Sequence, residues 1–199
     1  MRGILLSGGM DSTALAYSEN PDVAIFIDYG QVPAKAERRS AKKISGDLGI
    51  DFYEITIDCS DLGCGDLVGN DSSEIGRFSD WWPYRNQLLI TMAAMKAIKL
   101  GCTELIIGLV AGDDEYRDGS EEFIRLINEL ISFQEGEMKI SAPAIGKGID
   151  ELIMSANVPD YLLSKTHSCH KSNLPCFNCR GCGKQQAVFD KLNKAYFNE

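Results

Sequence analysis

Short apolar runs alternate with amphipathic segments along this chain, and the alternation predicts the elements of an α/β protein. Continuous or alternating apolar runs of roughly four to eight residues indicate strands, whereas apolar residues three and four positions apart indicate helices. The predicted strands are residues 2–6, 23–28, 52–57, 103–110 and 139–142. The predicted helices are residues 11–19, 34–48, 85–100, the segment that follows residue 118, and 149–156.

Strands that alternate with helices predict a parallel sheet between two helical layers, which is a three-layer Rossmann-like α/β fold. Such sheets bind ligands at the carboxyl ends of their strands. Ser7, Asp28 and residues 108–113 lie at or just past predicted strand ends, so we expect them to meet at one edge. Residues 58–80, rich in Gly, Asp and Ser, predict a mobile loop or lid. Asp118 and Glu121 have capping-box spacing, which predicts Asp118 as a helix N-cap.

Length and composition limit the domain organisation and the partners. A chain of 199 residues with 44% hydrophobic residues suits one domain with at most a small appendage. We divide it into residues 1–160 and a metal-binding C-terminal part with a helix, residues 161–199. No apolar run reaches the length of a membrane span and no signal-peptide pattern is present, so we expect a cytoplasmic protein without a membrane partner. The net charge of −9 disfavours nucleic acid as a partner.

The segment 161–184 is an exception to this charge, because it carries lysine and arginine without any acidic residue. We interpret its cations as counter-charge for a thiolate metal site; the alternative is a local patch for nucleic acid. The metal site itself is predicted by the spacing C-x6-C-x2-C-x2-C of Cys169, Cys176, Cys179 and Cys182. Four thiolates suit tetrahedral Zn²⁺, and an iron–sulfur cluster is the alternative.

Both histidines of the chain, His167 and His170, flank Cys169. Each is an alternative metal ligand, and each is also suited to support the ligands or to face a substrate. The total of seven cysteines is odd, which argues against a disulfide framework.

The glycine-rich stretch from Ser7 to Ser12 joins the first predicted strand to the first predicted helix. A strand, a glycine turn and a helix start together form an anion site, because the first backbone N–H groups of the helix are unpaired. The stretch lacks the spacing of the common phosphate loop. It carries Asp11 and no lysine, so a bound triphosphate would need a cation between the two, and we predict Mg²⁺. The alternative is a tight turn with Asp11 or Ser12 as the helix cap.

Several motifs in order along the chain together resemble the 7-cyano-7-deazaguanine synthases, a family within the N-type ATP pyrophosphatases. They are Ser7-Gly8-Gly9-Met10-Asp11-Ser12-Thr13, Asp28-Tyr29-Gly30-Gln31, Pro83-Tyr84-Arg85-Asn86, residues 108–113, residues 118–123, and Ser168-Cys169 with the three-cysteine finger. One segment departs from the family. Where the family has Tyr-Pro-Asp-Cys-Arg-Pro-Glu-Phe, this chain has Gly119 and Ser120 in place of the Cys and Arg, which indicates a divergent member.

The resemblance implies an enzyme that cleaves ATP between its α- and β-phosphates and uses ammonia to turn 7-carboxy-7-deazaguanine into the nitrile through the amide. It implies zinc rather than an iron–sulfur cluster. The implied ATP-binding residues are Leu6, Ser7, Gly8, Gly9, Met10, Asp11, Ser12, Thr13, Asp28, Arg85, Asn86 and Gly108. The implied substrate-binding residues are Tyr29, Gln31, Asp113 and His167. The implied catalytic residues are Asp11, Ser12, Arg85 and Asp118.

Each of these assignments has a plainer structural alternative. Arg85 suits a phosphate or carboxylate clamp through its two-pronged guanidinium, and otherwise forms a surface ion pair at a helix start. Asp28 and Asp113 suit ribose or purine N–H groups, or cap a loop. Trp81 and Trp82 suit a purine stack, or anchor a loop. The apolar face of residues 88–100 is either core or the contact of a homodimer.

Three other functions remain open at the level of sequence. In the first alternative, the activated acid is transferred to an amine of a partner protein and forms an amide with it. The altered segment 118–123 motivates this alternative. A tRNA-modifying enzyme with the same glycine loop is the second alternative. A nucleotide-binding regulatory protein without catalysis is the third.

Overall fold

In a computed structural model, which describes the backbone of residues 1–197 and the side chains of residues 1–193, five parallel strands form one sheet. The strands are β1 (Arg2–Leu5), β2 (Val23–Asp28), β3 (Asp51–Thr56), β4 (Glu104–Ile106) and β5 (Lys139–Ser141). Their order across the sheet is β3-β2-β1-β4-β5, and each neighbouring pair is parallel. The predicted parallel sheet is therefore confirmed.

Helices cover both faces of the sheet. They are α1 (Met10–Glu19), α2 (Ala34–Leu48), α3 (Arg85–Lys99), α4 (Glu121–Ser132), α5 (Ile149–Ala156), α6 (Asp160–Leu163) and α7 (Arg180–Phe197). Buried side chains of α1, α2, α5, α6 and α7 form one apolar core, and those of α3 and α4 form the other. The predicted three layers are confirmed. No helix among the described residues combines the length and the apolar character that crossing a membrane requires.

The alternation of side chains along β2 explains its continuous apolar sequence. Ala24 and Phe26 point into the core beneath α1 and α2, while Val23, Ile25 and Ile27 point into the core beneath α3 and α4. A strand with helices on both faces needs apolar residues at successive positions. The run of buried residues that predicted this strand is thus a consequence of the two-sided packing.

The order of the strands places a crevice between β1 and β4. The chain moves outward from β1 through β2 to β3, then returns to the opposite side of β1 with β4. In open parallel sheets the connections from two such strands leave in opposite directions and open a crevice at their carboxyl ends. The loop from Ser7 to Ser12 follows β1, so the fold places it at this crevice.

The fourth strand is shorter than the sequence predicts. The strand ends at Ile106 rather than at residue 110, although the N–H of Ile107 still donates to the carbonyl oxygen of Ser141 at 2.8 Å. The chain then passes close to the first helix, and a Cβ atom on Gly108 would lie 3.1 Å from the Cα atom of Ser12. The apolar residues 107–110 line the crevice instead of extending the sheet.

The predicted N-cap of the fourth helix is wrong. Ser120, not Asp118, caps α4, because its Oγ atom accepts the N–H of Phe123 at 3.2 Å. Asp118 instead serves α3, where its Oδ2 atom accepts the N–H of Asn86 at 3.3 Å. The capping-box spacing is misleading here because the carboxylate of Asp118 is used by a helix that lies elsewhere in the sequence.

Replacing Ser120 with alanine tests this cap. We expect a loss of about 1 kcal/mol in the free energy of unfolding, because the N–H of Phe123 loses its acceptor. For a domain of this size the melting temperature should fall by about 2–4 °C. Thermal unfolding monitored by circular dichroism measures the change. The control is Ser132→Ala at the other end of the same helix, which should change little; equal effects of both variants would contradict the assignment.

The C-terminal part packs onto the rest of the molecule. Val188 and Leu192 of α7 lie in the same core as Ile4 of β1 and Leu152 of α5. Lys191 of α7 also contacts the carboxylate of Asp150 at 3.1 Å. The division of the chain at residue 160 stays a prediction.

Candidate active site

A cleft of about 460 Å³ opens at the carboxyl ends of β1 and β4. Such a volume suits a small-molecule ligand. Most of the site residues expected from the sequence line it, namely Leu6, Ser7, Gly9, Met10, Asp11, Ser12, Tyr29, Gln31, Arg85, Asn86, Gly108, Asp113, Asp118 and His167. Gly8, Thr13 and Asp28 are absent from its lining among the described residues.

Gly8 fixes the shape of the glycine loop. Its φ of +84° is unfavourable for other residues, and a Cβ atom there would lie 2.6 Å from the carbonyl oxygen of Glu37. Its own carbonyl oxygen accepts the N–H of His167 at 2.9 Å. The loop is therefore held between α2 and the segment that precedes Cys169.

The start of α1 presents unpaired donors to the cleft. The first backbone hydrogen bond of the helix runs from Thr13 to the carbonyl oxygen of Gly9 at 3.1 Å, so the N–H groups of the three preceding residues have no partner within the helix. The Thr13 hydroxyl also donates to Gly9, at 2.7 Å. The Oγ atoms of Ser7 and Ser12 lie 3.1 Å apart beside these donors. This arrangement suits an anion such as pyrophosphate.

Asp11 is a half-buried acid beside a second acid. Burial and the carboxylate of Asp113 raise the pKa of Asp11 to about 7, although Lys184 acts in the opposite direction. The Nζ atom of Lys184 lies 3.4 Å from the Oδ1 atom of Asp113. Two carboxylates at the rim of an anion site suit a divalent cation, which takes oxygen ligands. The positive charge of such a cation would favour the ionised form of Asp11.

Arg85 begins α3 and faces several acidic groups. Burial lowers its pKa, but Tyr29, Asp118, Asp80 and Glu37 together outweigh burial and leave the pKa raised. Arg85 therefore stays a cation inside the cleft, rather than forming the surface ion pair of the plainer interpretation.

Trp82 anchors the loop that precedes α3. Its ring packs edge to face on Tyr29, with centroids 4.9 Å apart, and is 3% exposed. The loop-anchor alternative is therefore confirmed for Trp82.

The four predicted cysteine ligands come together. Their sulfur atoms all lie within 4.8 Å of one another, with 3.9 Å between Cys176 and Cys182 and 4.0 Å between Cys169 and Cys179. Thiolates bonded to one tetrahedral ion at about 2.3 Å stand roughly 3.8 Å apart. Burial raises the pKa of Cys169, and raises that of Cys182 to about 12, so both thiolates need a bound cation. The cluster can therefore hold one metal ion.

Comparison with known proteins gives the family. The sequence model described as "Queuosine biosynthesis protein QueC" matches residues 3–193. The chain belongs to the QueC family. It is 29% identical over 196 residues to 7-cyano-7-deazaguanine synthase 1 of Desulfitobacterium hafniense, and this alignment covers 92% of this chain and 88% of that protein. It is 31% identical over 207 residues to the 7-cyano-7-deazaguanine synthase of a Nitratiruptor species, covering 94% of this chain and 93% of that protein.

Among solved structures, the chain is similar to U34-tRNA thiolase NcsA from Methanococcus maripaludis with its [4Fe-4S] cluster. The TM-score is 0.55 and the identity 20%, over 99% of this chain and 66% of that one. This likeness concerns the fold alone. The family match confirms an ATP-dependent enzyme of the QueC family, as the motifs of the sequence indicate.

The site of this QueC-family enzyme also contains residues that no sequence pattern revealed. Asp80, only 5% exposed, lies at the centre of one such group. The hydroxyl of Tyr116 donates to its Oδ1 atom at 2.6 Å, and its Oδ2 atom lies 3.2 Å from His170 and 3.6 Å from Arg180. Burial alone would raise the pKa of Asp80, but these contacts outweigh it and hold the pKa well below its usual range.

The four lysine and arginine side chains of the segment 161–184 each pair with a carboxylate, Lys165 with Asp47 and Lys171 with Asp66 among them. Arg180 pairs with Asp80 and Glu115 and lies 4.2 Å from the ring centroid of Phe78, and Lys184 pairs with Asp113. Both cations line the cleft. The sequence does not indicate these carboxylate pairs, and the interpretation of the cations as counter-charge for the thiolates stays a prediction.

The histidines have other partners. The Nε2 atom of His167 lies 2.9 Å from the carbonyl oxygen of Ser172, and Nδ1 of His170 faces Asp80. Among the described residues, the cluster around Cys169 contains the four cysteines and neither histidine.

Asp28 lies beside the cleft rather than in its lining. Its carboxylate accepts Arg38 at 2.8 Å and the N–H of Gly30 at 3.2 Å, which shapes the turn after β2. Its assignment to ATP stays a prediction.

Proposed function

We propose that this QueC-family enzyme adenylates 7-carboxy-7-deazaguanine and, with ammonia, converts it into 7-cyano-7-deazaguanine through the amide. The observation that carries the proposal is the glycine loop. Its unpaired N–H groups at the start of α1 face a cleft that also contains Asp11 and Arg85. An anion leaving group and a nucleophilic carboxylate can thus be held in one cavity.

In the first step, a carboxylate oxygen of the substrate attacks the α-phosphorus of ATP. The bond to the bridging oxygen breaks, and pyrophosphate leaves with the electron pair. The N–H groups at the start of α1 stabilise this developing charge. Asp11 and Asp113 would hold a magnesium ion, which shields the charge of the triphosphate. Arg85, which lines the cleft, would bind a phosphate or the carboxylate through two parallel hydrogen bonds.

In the following steps, ammonia attacks the acyl carbon and AMP leaves, which gives the amide and releases a proton. The amide oxygen then attacks a second ATP and pyrophosphate leaves again. Loss of AMP with the remaining nitrogen protons forms the nitrile. Adenylation is needed both times because AMP is a good leaving group, whereas oxide and hydroxide are poor ones.

The cysteine cluster supports the site from one side. We propose that it holds a single Zn²⁺, because the sulfur atoms are spaced for one ion, whereas thiolates on the separate irons of a cluster stand farther apart. Four cysteine ligands leave no open position for catalysis. The ion would therefore join two parts of the chain. One is the segment before Cys169, which contacts Gly8, and the other is the start of α7, which supplies Arg180 and Lys184 to the cleft.

Mass spectrometry of the reaction products tests the proposal. The purified protein is supplied with ATP, Mg²⁺ and 7-carboxy-7-deazaguanine, with and without ammonia. We expect AMP and pyrophosphate, two ATP consumed per nitrile, and no nitrile without ammonia. Formation of ADP without AMP would contradict adenylation.

A second candidate is transfer of the activated acid to an amine of a partner protein. It rests on the altered segment, where a Cβ atom at Gly119 would lie 2.1 Å from the carbonyl oxygen of Asp113 and Ser120 caps α4. A cysteine at position 119 would require the backbone beside the cleft to shift, and an arginine at position 120 would remove the cap of α4. A partner protein that gains the mass of the deazaguanine acyl group, with no free nitrile formed, would favour this candidate.

A further inference from the structure

We propose that Glu37 recognises the pyrimidine edge of the deazaguanine substrate, and so makes the enzyme specific for a 2-amino-4-oxopyrimidine ring. The inference rests on the proposed function and adds a specificity residue to it. Glu37 lies in the first turn of α2 and lines the cleft. No sequence pattern indicates this role, because a glutamate on a polar helix is ordinary.

The backbone around Glu37 is held in place from two sides. The carbonyl oxygen of Glu37 packs against Gly8 of the glycine loop. The side chain of Asn173 accepts the N–H of Ala36 at 2.8 Å and donates to the carbonyl oxygen of Val32 at 3.1 Å. The start of α2 is thereby tied both to the anion site and to the metal-binding segment, so the carboxylate is preorganised.

Gln31 fixes the carboxylate of Glu37 and identifies it as an acceptor. The Oε1 atom of Gln31 accepts the N–H of Tyr29 at 2.9 Å, which orients the amide. Its Nε2 atom then donates to the Oε2 atom of Glu37 at 2.7 Å. Within the described part of the chain, the Oε1 atom of Glu37 has no hydrogen-bond partner. One carboxylate oxygen is thus positioned by a single hydrogen bond and keeps a second lone pair, and the other is available, so both can accept hydrogen bonds from a ligand.

The other carboxylates of the cleft are committed to protein contacts or to the anion site. Both oxygens of Asp80 and both oxygens of Asp113 contact protein groups. One oxygen of Asp118, Oδ2, accepts the N–H of Asn86 at the start of α3, and Asp11 stands at the start of α1 beside the pyrophosphate donors. Glu37 is the cleft carboxylate that an oriented side-chain amide, that of Gln31, holds in position while leaving an oxygen for the neutral part of a substrate.

The chemistry of the guanine edge matches such a carboxylate. The ring N–H and the exocyclic amine present two adjacent donors, and a carboxylate presents two adjacent acceptors. Adenine presents one amine beside an unprotonated ring nitrogen, which a carboxylate would repel. Burial raises the pKa of Glu37, and two donors from a ligand would favour its ionised form. The arrangement therefore distinguishes the deazaguanine from the adenine ring of ATP.

Calorimetric titration with two ligands tests the assignment. They are 7-carboxy-7-deazaguanine and its analogue that lacks the 2-amino group, each titrated into wild type, Glu37→Gln and the exposed control Glu129→Gln. We expect wild type and the control to prefer the amine-bearing acid by roughly 10- to 100-fold. Glu37→Gln should bind that acid weakly and prefer it by less than about threefold, because the carboxamide offers a single acceptor. The affinity for ATP should remain unchanged, and the melting temperature should not fall, because burial raises the pKa of Glu37 and a neutral carboxamide avoids that cost.

Each contrary result has a distinct meaning. The assignment would be overturned if Glu37→Gln kept the preference of the wild type for the amine-bearing acid. It would also be overturned if Glu37→Gln lost affinity for ATP and kept its affinity for that acid. If the wild type prefers the amine-bearing acid but releases no AMP, the proposed function fails while the role of Glu37 stands. If the wild type binds neither acid, both fail.

Discussion

Asp11→Asn should release AMP at least about 100-fold more slowly than the wild type, and should be more stable than the wild type in the absence of nucleotide. The loss of activity is expected because a carboxamide cannot balance the charge of a divalent cation beside the triphosphate. The unpaired N–H groups at the start of α1 remain, so some binding of pyrophosphate should persist.

The gain in stability follows from the raised pKa of Asp11. Because the folded-state pKa is about 7 and the unfolded value about 3.8, the native state binds more protons between these values. Wild-type stability therefore falls as the pH rises from about 4 to about 7. Asp11→Asn has no such titration at this position, so it should exceed the wild type by about 1–4 kcal/mol above pH 7 and lose that advantage below pH 4.

Product analysis and urea unfolding at several pH values measure the two effects. Asp114→Asn is the matched control, because it makes the same chemical change at an exposed residue near the cleft and should alter neither quantity. Unchanged AMP release by Asp11→Asn would show that the loop acts without this carboxylate. A stability difference that does not vary with pH would show that the pKa of Asp11 is not raised in the folded protein.

The parts of the fold and site that could be predicted from the sequence depend on local patterns. The continuous apolar sequence of β2 follows from helices on both faces of the sheet. The glycine loop was predictable because the donors at the start of α1 lie next to it in the chain. The cysteine cluster was predictable because three of its ligands are three residues apart and reach one point.

The parts that sequence analysis missed depend on contacts between distant segments. Asp80, Tyr116 and Arg180 meet although they lie far apart in the chain, and none of them belongs to a spacing pattern. The cap of α4 was misassigned because Asp118 and Ser120 are both suitable caps, and only the packing of α3 against this turn decides between them. Strand β4 ends early for a similar reason, since the chain at Gly108 adapts to α1.

Replacing Cys179 with serine should remove the metal and destabilise the whole protein. Cys179 is 8% exposed, and its sulfur lies 4.0 Å from that of Cys169. Structural zinc contributes roughly 10 kcal/mol or more to the folding of small domains, so loss of one ligand should cost several kcal/mol. The melting temperature should fall by about 10 °C or more. Metal content by elemental analysis and thermal unfolding check this, and the same analysis distinguishes zinc from iron.

Cys64→Ser is the control for this experiment, because its Sγ donates to the carbonyl oxygen of Trp81 at 3.2 Å and a serine hydroxyl can replace that bond. It should keep the metal and the melting temperature of the wild type. The segment just before Cys169 contacts Gly8, and α7 supplies Arg180 and Lys184 to the cleft. Because the metal would join these two parts, Cys179→Ser should also raise the KM for ATP. A Cys179→Ser protein that lacks metal yet keeps the wild-type melting temperature and KM would show that the cluster neither stabilises the fold nor shapes the cleft.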